Sequence, residues 1–373
     1  MKGKNSKCMA YVGTYTSGES EGIYVFEVDS NTGSLKLIGA AGAVSKTTGG
    51  SFEKLRNPSY QVLSSNFEYL YSVLEIQSYG NKENGAVAAF KIDKETGIPQ
   101  FINCQSAGGK APCHISTNKA GTYIFAANYA DGTAAVFPVL EDGSLSEASC
   151  VITHQGFGPN KERQEKAHTH FVSLTPDEKF LCAVDLGIDR IMVYRFDNAT
   201  GKLYPALHPE VVIRPGSGPR HMVFHPSGEF AYLINELSSD IVSFEYSSED
   251  GSFSELQYIS TLPEGYNDIN YCAAIHVSDD GQYLYGSNRG HDSIAIFKID
   301  SLTGKLALID IVSTFGSFPR DFQIEPSGKY LYVANQNSNT IVTFRIIPET
   351  GIIEATGDIV TIPSPVCIKF AIL

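Results

Sequence analysis

One histidine, three arginines and two glutamates stand out because each begins or ends a segment that is otherwise apolar: His170, Arg220, Arg289, Arg320, Glu75 and Glu236, joined by the amide of Gln336. Guanidinium groups bind carboxylate or phosphate through a bidentate fork, so three of them near one opening in an acidic chain suggest an anionic ligand. Glu236 and His170 are candidate proton acceptors. An arginine beside a carboxylate lowers that carboxylate's pKa and keeps it ionised. Hydrolysis of a lactone would use all of these groups: arginines for the developing oxyanion and the substrate anion, Glu236 as first choice to activate water, and His170 as its partner or alternate. The competing reading is an arginine–glutamate lattice that only stabilises a funnel, since structural ion-pair networks also perturb charges in this way.

Other motifs carry less. His168 and His170 are two apart and on a strand would share one face. No third ligand beyond Glu236 accompanies them, so neither a metal nor any cofactor is expected. Gly18-Glu19-Ser20-Glu21-Gly22 matches G-x-S-x-G, but it falls in a turn between two strands rather than at a strand-to-helix elbow. His114 and His221 share one repeat position, which points to structure, and His225 sits in a turn on the far side. His291 and Asp292 follow Arg289 closely, and His291 is carried as a substrate-binding candidate with Arg320, Gln336 and Glu75. The seven cysteines include no CxxC pair and read as buried, reduced thiols.

Positioning these residues requires a regular scaffold, and the sequence repeats. Six copies, Asn57–Ile102, Ala111–Cys150, Ala167–Leu207, Gly218–Gln257, Tyr271–Asp310 and Phe318–Gly357, each show a strand, a polar turn, an aromatic-Leu-Tyr strand, a break, a strand ending in an aromatic residue, and a Gly-containing turn. The period is roughly fifty residues, which fits four short strands per unit. First turns read SSNF, NKAG, TPDE, HPSG, SDDG and EPSG, the Asp, Asn, Pro and Gly chemistry of tight hairpins. The stretch 9–39 supplies three strands of a further unit and Ser364–Leu373 supplies the missing first one. The expectation is therefore all-β: a seven-bladed β-propeller of four antiparallel strands per blade, one domain over 1–373, with the last blade closed by both termini. Closure removes long open sheet edges.

In such a blade the start of strand one and the end of strand two lie on one face. The long stretches Ala40–Arg56, Ile76–Gly85, Val151–Lys166 and Leu262–Asn270 all fall on that face, which marks it as the working mouth. The register puts Ser59, Cys113, His170, Arg220, Ala273, Arg320 and Val366 one position into strand one. At the end of strand two it puts Tyr15, Glu75, Tyr129, Leu186, Glu236, Arg289 and Gln336. Positions decided by structure alone should look alike between blades; these do not.

Composition narrows the partners. With 28 Lys+Arg against 41 Asp+Glu the formal net charge is -13, which argues against nucleic acid or an anionic membrane surface. No apolar run is long enough to span a bilayer, and the basic start passes directly into a strand. A cytoplasmic protein, or one whose export signal was trimmed, fits these features, as a monomer or weak homodimer acting on a small anionic lactone.

The stretches AHTHFVSLTPDEKFLCAVDLGIDRIMVYRFD, GPRHMVFHPSGEFAYLINE and DDGQYLYGSNRGHDSIAIFKID resemble the seven-bladed lactonase family, which contains bacterial propeller-type 6-phosphogluconolactonase and fungal carboxy-cis,cis-muconate lactonizing enzyme. The resemblance runs through the whole chain and is most specific at GPRH, the NE after strand two, and SNRGHDSI. The muconate enzyme's site of one His, two Arg and one Glu corresponds by motif to His170, Arg220, Arg289 and Glu236. Val151–Lys166 has no alignable counterpart. The resemblance implies a 6-phosphogluconolactonase, with a muconate-type cycloisomerase as the alternative and a non-enzymatic propeller that binds a partner at the long-loop face as the third.

Overall fold

The computed structural model describes residues 6–45 and 52–373. Seven four-stranded antiparallel sheets surround a central axis, and the described residues contain no helix. Six blades are continuous in sequence. In the seventh, Pro365–Ile372 pairs with Cys8–Thr14, which is followed outward by Ile23–Val28 and Leu35–Ala41. The expected shared blade is thus present.

The turns between strands one and two share one construction. The N–H of Phe67, Gly121, Glu178, Gly228, Gly281 and Gly328 donates to the carbonyl three residues earlier, each at 2.8 or 2.9 Å. All six donors have positive φ, which glycine adopts without strain and which only Phe67 and Glu178 adopt with a side chain.

Between blades, seven clusters of buried apolar side chains fill the seven interfaces; one joins Tyr11 and Val25 of the seventh blade to Leu70 and Phe90 of the first. Fully burying one such large side chain contributes about 1.5–3 kcal/mol. The tyrosine of the aromatic-Leu-Tyr strand also latches neighbours together. Tyr71, Tyr285, Tyr332 and Tyr11 donate to the carbonyls of Gly143, Gly351, Gly33 and Gly97, each in the outer turn of the next blade, at 2.7–3.1 Å. The latch from Tyr332 to Gly33 joins the last continuous blade to the one shared by the chain's ends.

Two boundaries differ from the sequence expectation. The stretch Ala40–Arg56 contains a small antiparallel ribbon, Ala43–Ser45 with Phe52–Lys54, rather than only a loop, and its residues 46–51 lie outside the described residues. The fourth strand of the third blade runs Lys202–Val212, past Leu207, because a bulge opposite Met192–Tyr194 lets the ladder resume. None of the described residues belongs to a helix long and apolar enough to cross a membrane.

Candidate active site

Six of the seven blades begin with a device that re-aims a side chain of the first strand. In five blades the ladder between strands one and two skips a residue on strand one, and the skipped residues are Cys113, His170, Arg220, one of the pair Ala273–Ala274, and Arg320. The seventh blade skips Val366 in the same way against its second strand. A β-bulge leaves its extra residue unpaired and re-aims the side chain. In the first blade the strand begins at Gln61, so Ser59 precedes it.

The facing positions are fixed with equal regularity. The N–H groups of Tyr15, Glu75, Tyr129, Leu186, Glu236 and Gln336 donate to Ser364, Asn57, Ala111, His168, Gly218 and Phe318. Gly218, at φ 60, shows what that turn demands: a Cβ there would lie 2.4 Å from Leu237 Cγ.

Four of the expected residues form one cluster. Glu236, 3% exposed, has Oε2 2.7 Å from Arg289 Nη2 and 3.2 Å from Arg220 Nε, the latter outside hydrogen-bond geometry. Both arginines are pinned elsewhere as well. Arg220 Nη1 donates to Ala273 O at 2.6 Å, and Arg289 donates to Tyr271 O and Cys272 O at 3.2 and 2.8 Å. A third guanidinium, Arg163, donates from Nη2 to Glu236 Oε1.

Burial alone would raise the Glu236 pKa, but Arg289, Arg220, His170 and Arg163 outweigh it and hold the carboxyl well below the usual carboxylate range. Burial and the nearby Arg289 and Arg320 press Arg220 down to about 9, so it stays charged at neutral pH. His170 is held well below an ordinary imidazole, first by burial and then by Arg220, and is therefore neutral. Its Nδ1 is buried without a partner in another residue, and its ring meets Tyr129 and His221 edge-on at 5.6 and 5.3 Å.

A second cluster lies across the mouth. Glu75 accepts from Ser59 Oγ at 2.5 Å and from Tyr15 Oη at 3.0 and 3.1 Å. Arg320 sits 5.3 Å over the Tyr15 ring, and its guanidinium has no hydrogen-bond partner among the described residues. Burial opposes its charge, but Tyr15 and Glu75 win and raise its pKa. Gln336 Oε1 is buried and likewise without a partner.

His291 belongs to neither cluster: Nδ1 meets Ser293 Oγ at 2.7 Å, its N–H donates to Asn270, and its ring meets Tyr266. His168 stacks on Tyr129 at 4.5 Å, with Nδ1 2.9 Å from Tyr129 O and Nε2 3.1 Å from Glu165 Oε2. It braces the mouth and does not share the orientation of His170. His114 and His221 pack 5.2 Å apart beneath the site with Tyr60 and Phe171. His225 closes its far-side turn through Ser227 and meets Gly281 in the corresponding turn of the next blade, and Ser20 of G-x-S-x-G is buried against Thr14.

Sequence reasoning missed Arg163. It comes from the long loop between the second and third blades, where Asn160-Lys161-Glu162-Arg163-Gln164-Glu165-Lys166 reads as a solvated charge run. The loop's place on the working face was its only signal. Tyr15 and Ser59 were placed on the ring by register but given no chemistry.

The chain matches the family model described as "Lactonase, 7-bladed beta-propeller" over residues 9–370. It is 40% identical to a 6-phosphogluconolactonase of Bacillus subtilis over 365 residues, 98% of this chain and 99% of the relative. It is also 36% identical to a 6-phosphogluconolactonase of Formosa agariphila, over 85% of this chain and 86% of that one. Among solved structures, a periplasmic gluconolactonase of Pseudomonas aeruginosa superposes with a TM-score of 0.88 at 33% identity, covering 98% of this chain and 99% of that one. The repeat, the closed ring and the full-length matches agree: this chain belongs to the seven-bladed β-propeller lactonase family.

Proposed function

We propose that the chain hydrolyses a sugar lactone, 6-phosphogluconolactone, to 6-phosphogluconate. The observation that carries this reading is the buried imidazole of His170, its Nδ1 without a partner, at the same mouth as two guanidiniums fixed by protein carbonyls and a buried carboxylate. Donors that are already oriented need no reorganisation when an oxyanion forms, which is where such groups stabilise a transition state most.

In this mechanism Nε2 of His170 takes a proton from water as the water oxygen bonds to the lactone carbonyl carbon. The carbonyl electrons move to oxygen, where Arg220 and Arg289 meet the charge. Collapse breaks the bond to the ring oxygen, and the imidazolium returns its proton to that leaving oxygen, so that water has been added overall. The anionic substrate neutralises part of the arginine field that depresses His170, making the imidazole a better base when the site is filled. Glu236 is reassigned from first-choice base to a fixed anion. With three guanidiniums around it, it is too weakly basic to take a proton, but it holds Arg220 and Arg289 in place and stabilises the imidazolium. Arg320, with unshared donors, meets the substrate's negative charge, while Gln336 and Glu75 face its hydroxyls.

Seven free cysteines fit a reducing, cytoplasmic setting, and a small lactone is the only partner this site requires. The test is a coupled assay with fresh 6-phosphogluconolactone beside gluconolactone. Turnover of the phosphorylated lactone, abolished in Arg289→Ala, supports the reading; turnover of neither lactone by the wild type overturns it.

A further inference from the structure

Arg163 stands outside the repeat, yet it reaches the centre of the site. Its loop is firmly built. Gln164, fully buried, donates from Nε2 to Leu186 O at 2.8 Å and accepts from Asn160 N, and the Gly158 N–H donates to Gln164 O at 2.9 Å. The Arg163 N–H donates to Asn160 O. The backbone at 163 is therefore fixed, and what can move is the side chain. That side chain is 32% exposed, whereas those of Arg220 and Arg289 are 3% and 5% exposed. Its guanidinium lies 5.3 Å over the Tyr271 ring, a polarisable rest for a cation that changes partner.

Glu236 does not depend on Arg163, because Arg289 and Arg220 remain at 2.7 and 3.2 Å. A count of charges points the same way. The two clusters bring four guanidiniums, Arg163, Arg220, Arg289 and Arg320, to two carboxylates, Glu236 and Glu75, a surplus of two positive charges in a chain of net charge -13. A phosphate monoester carries about -1.5 to -2 at neutral pH.

We propose that Arg163 is a specificity-determining residue: it pairs with Glu236 and, on substrate binding, turns to the substrate's phosphate, so that phosphorylated lactones are preferred over neutral ones. Arg320 meets the phosphate from within the mouth and Arg163 from its rim. The rim position makes the second contact exchangeable: the Arg163 side chain is 32% exposed, so water can solvate the guanidinium as it leaves, while the buried Glu236 keeps Arg289 and Arg220 as its partners. This inference rests on the lactonase reading and adds to it the residue that selects the substrate's charge.

Kinetics of Arg163→Gln and Arg163→Lys with both lactones test it. The expected result for Arg163→Gln is a rise in KM for 6-phosphogluconolactone of about tenfold or more, a smaller change with gluconolactone, and partial recovery in Arg163→Lys, which restores charge without the bidentate fork. Equal loss on both lactones would overturn the proposal and make Arg163 a positioning residue for Glu236. If the wild type cleaves neither lactone, the functional reading fails, and calorimetric binding of inorganic phosphate and 6-phosphogluconate still decides the inference. Affinity at least about tenfold weaker in Arg163→Gln supports it, and equal affinity overturns it.

Discussion

The two carboxylates at the mouth are held in opposite ways. Glu236 is surrounded by the cations Arg163, Arg220 and Arg289. Glu75 is held by the neutral hydroxyls of Ser59 and Tyr15, with Arg320 turned onto an aromatic face rather than onto the carboxylate. One arrangement spends its arginines on fixing an anion; the other leaves an arginine free for a ligand. The difference teaches that the same charge types around a ring need not be used alike: the Glu–Arg vocabulary builds a closed lattice of ion pairs on one arc and leaves a guanidinium without a hydrogen-bond partner on the other.

The widest separation between the arcs should come from His170→Asn, which on this reading removes the base. A fall in kcat of about 10²–10⁴ with little change in KM is expected from steady-state kinetics. Retention of wild-type kcat would return the base assignment to Glu236. Next, Glu236→Gln is expected to lower kcat/KM by about 10²–10³ and to lower the melting temperature, because breaking a buried ion pair costs about 3–5 kcal/mol. Glu75→Gln keeps an acceptor oxygen for Ser59 and Tyr15, so its loss should be about tenfold or less, mainly in KM. If the two glutamine variants behave alike, the contrast between the arcs is wrong.

A pH experiment sharpens the same contrast. Glu236 stays ionised over any working pH, so the acid limb of kcat/KM should belong to His170 and lie below its ordinary value of 6.5. For stability the sign follows from the unfolded chain. His114, His170 and His221 are all held well below 6.5, first by burial, so as pH falls below 6.5 the unfolded chain binds protons that the folded one refuses. The stabilisation present above pH 6.5 is lost on acidification, and melting temperature should drop between about pH 7 and pH 5. His114→Phe should make that slope shallower; an unchanged slope would show that other groups control it.

The smallest effect concerns the latches. Tyr332→Phe should cost about 1 kcal/mol in denaturant titration, since it removes the bond to Gly33 of the next blade. The equivalent Tyr232 has a buried hydroxyl with no partner, so Tyr232→Phe should cost nothing or stabilise slightly.

Most of the architecture was legible because it is written several times over. The turn residues and the aromatic-Leu-Tyr strands recur from blade to blade, and the split of one unit between the termini has a simple explanation in a closed ring. His170, Arg220, Glu236 and Arg289 could be read for the opposite reason: they are where the copies disagree. The bulges were hidden because the copies that have one carry the extra residue at the same place, so alignment of the copies to one another shows no insertion. Arg163 was hidden because its loop has no copy to compare with. Its neighbours Lys161, Glu162 and Lys166 are the residues of a solvated surface. The position of His168 was not legible, because its stacking on Tyr129 depends on a neighbouring blade that sequence spacing does not bring near.

The skipped residue at the head of six blades has a wider consequence. Because Cys113, His170, Arg220 and Arg320 stand outside the ladder, no cross-strand partner dictates their type, and replacing one leaves the register of its strand untouched. The ring thus carries a set of interchangeable sockets around a single opening. A scaffold of this kind can change which side chain stands at its opening by point substitution while the register of the strands stays as it was.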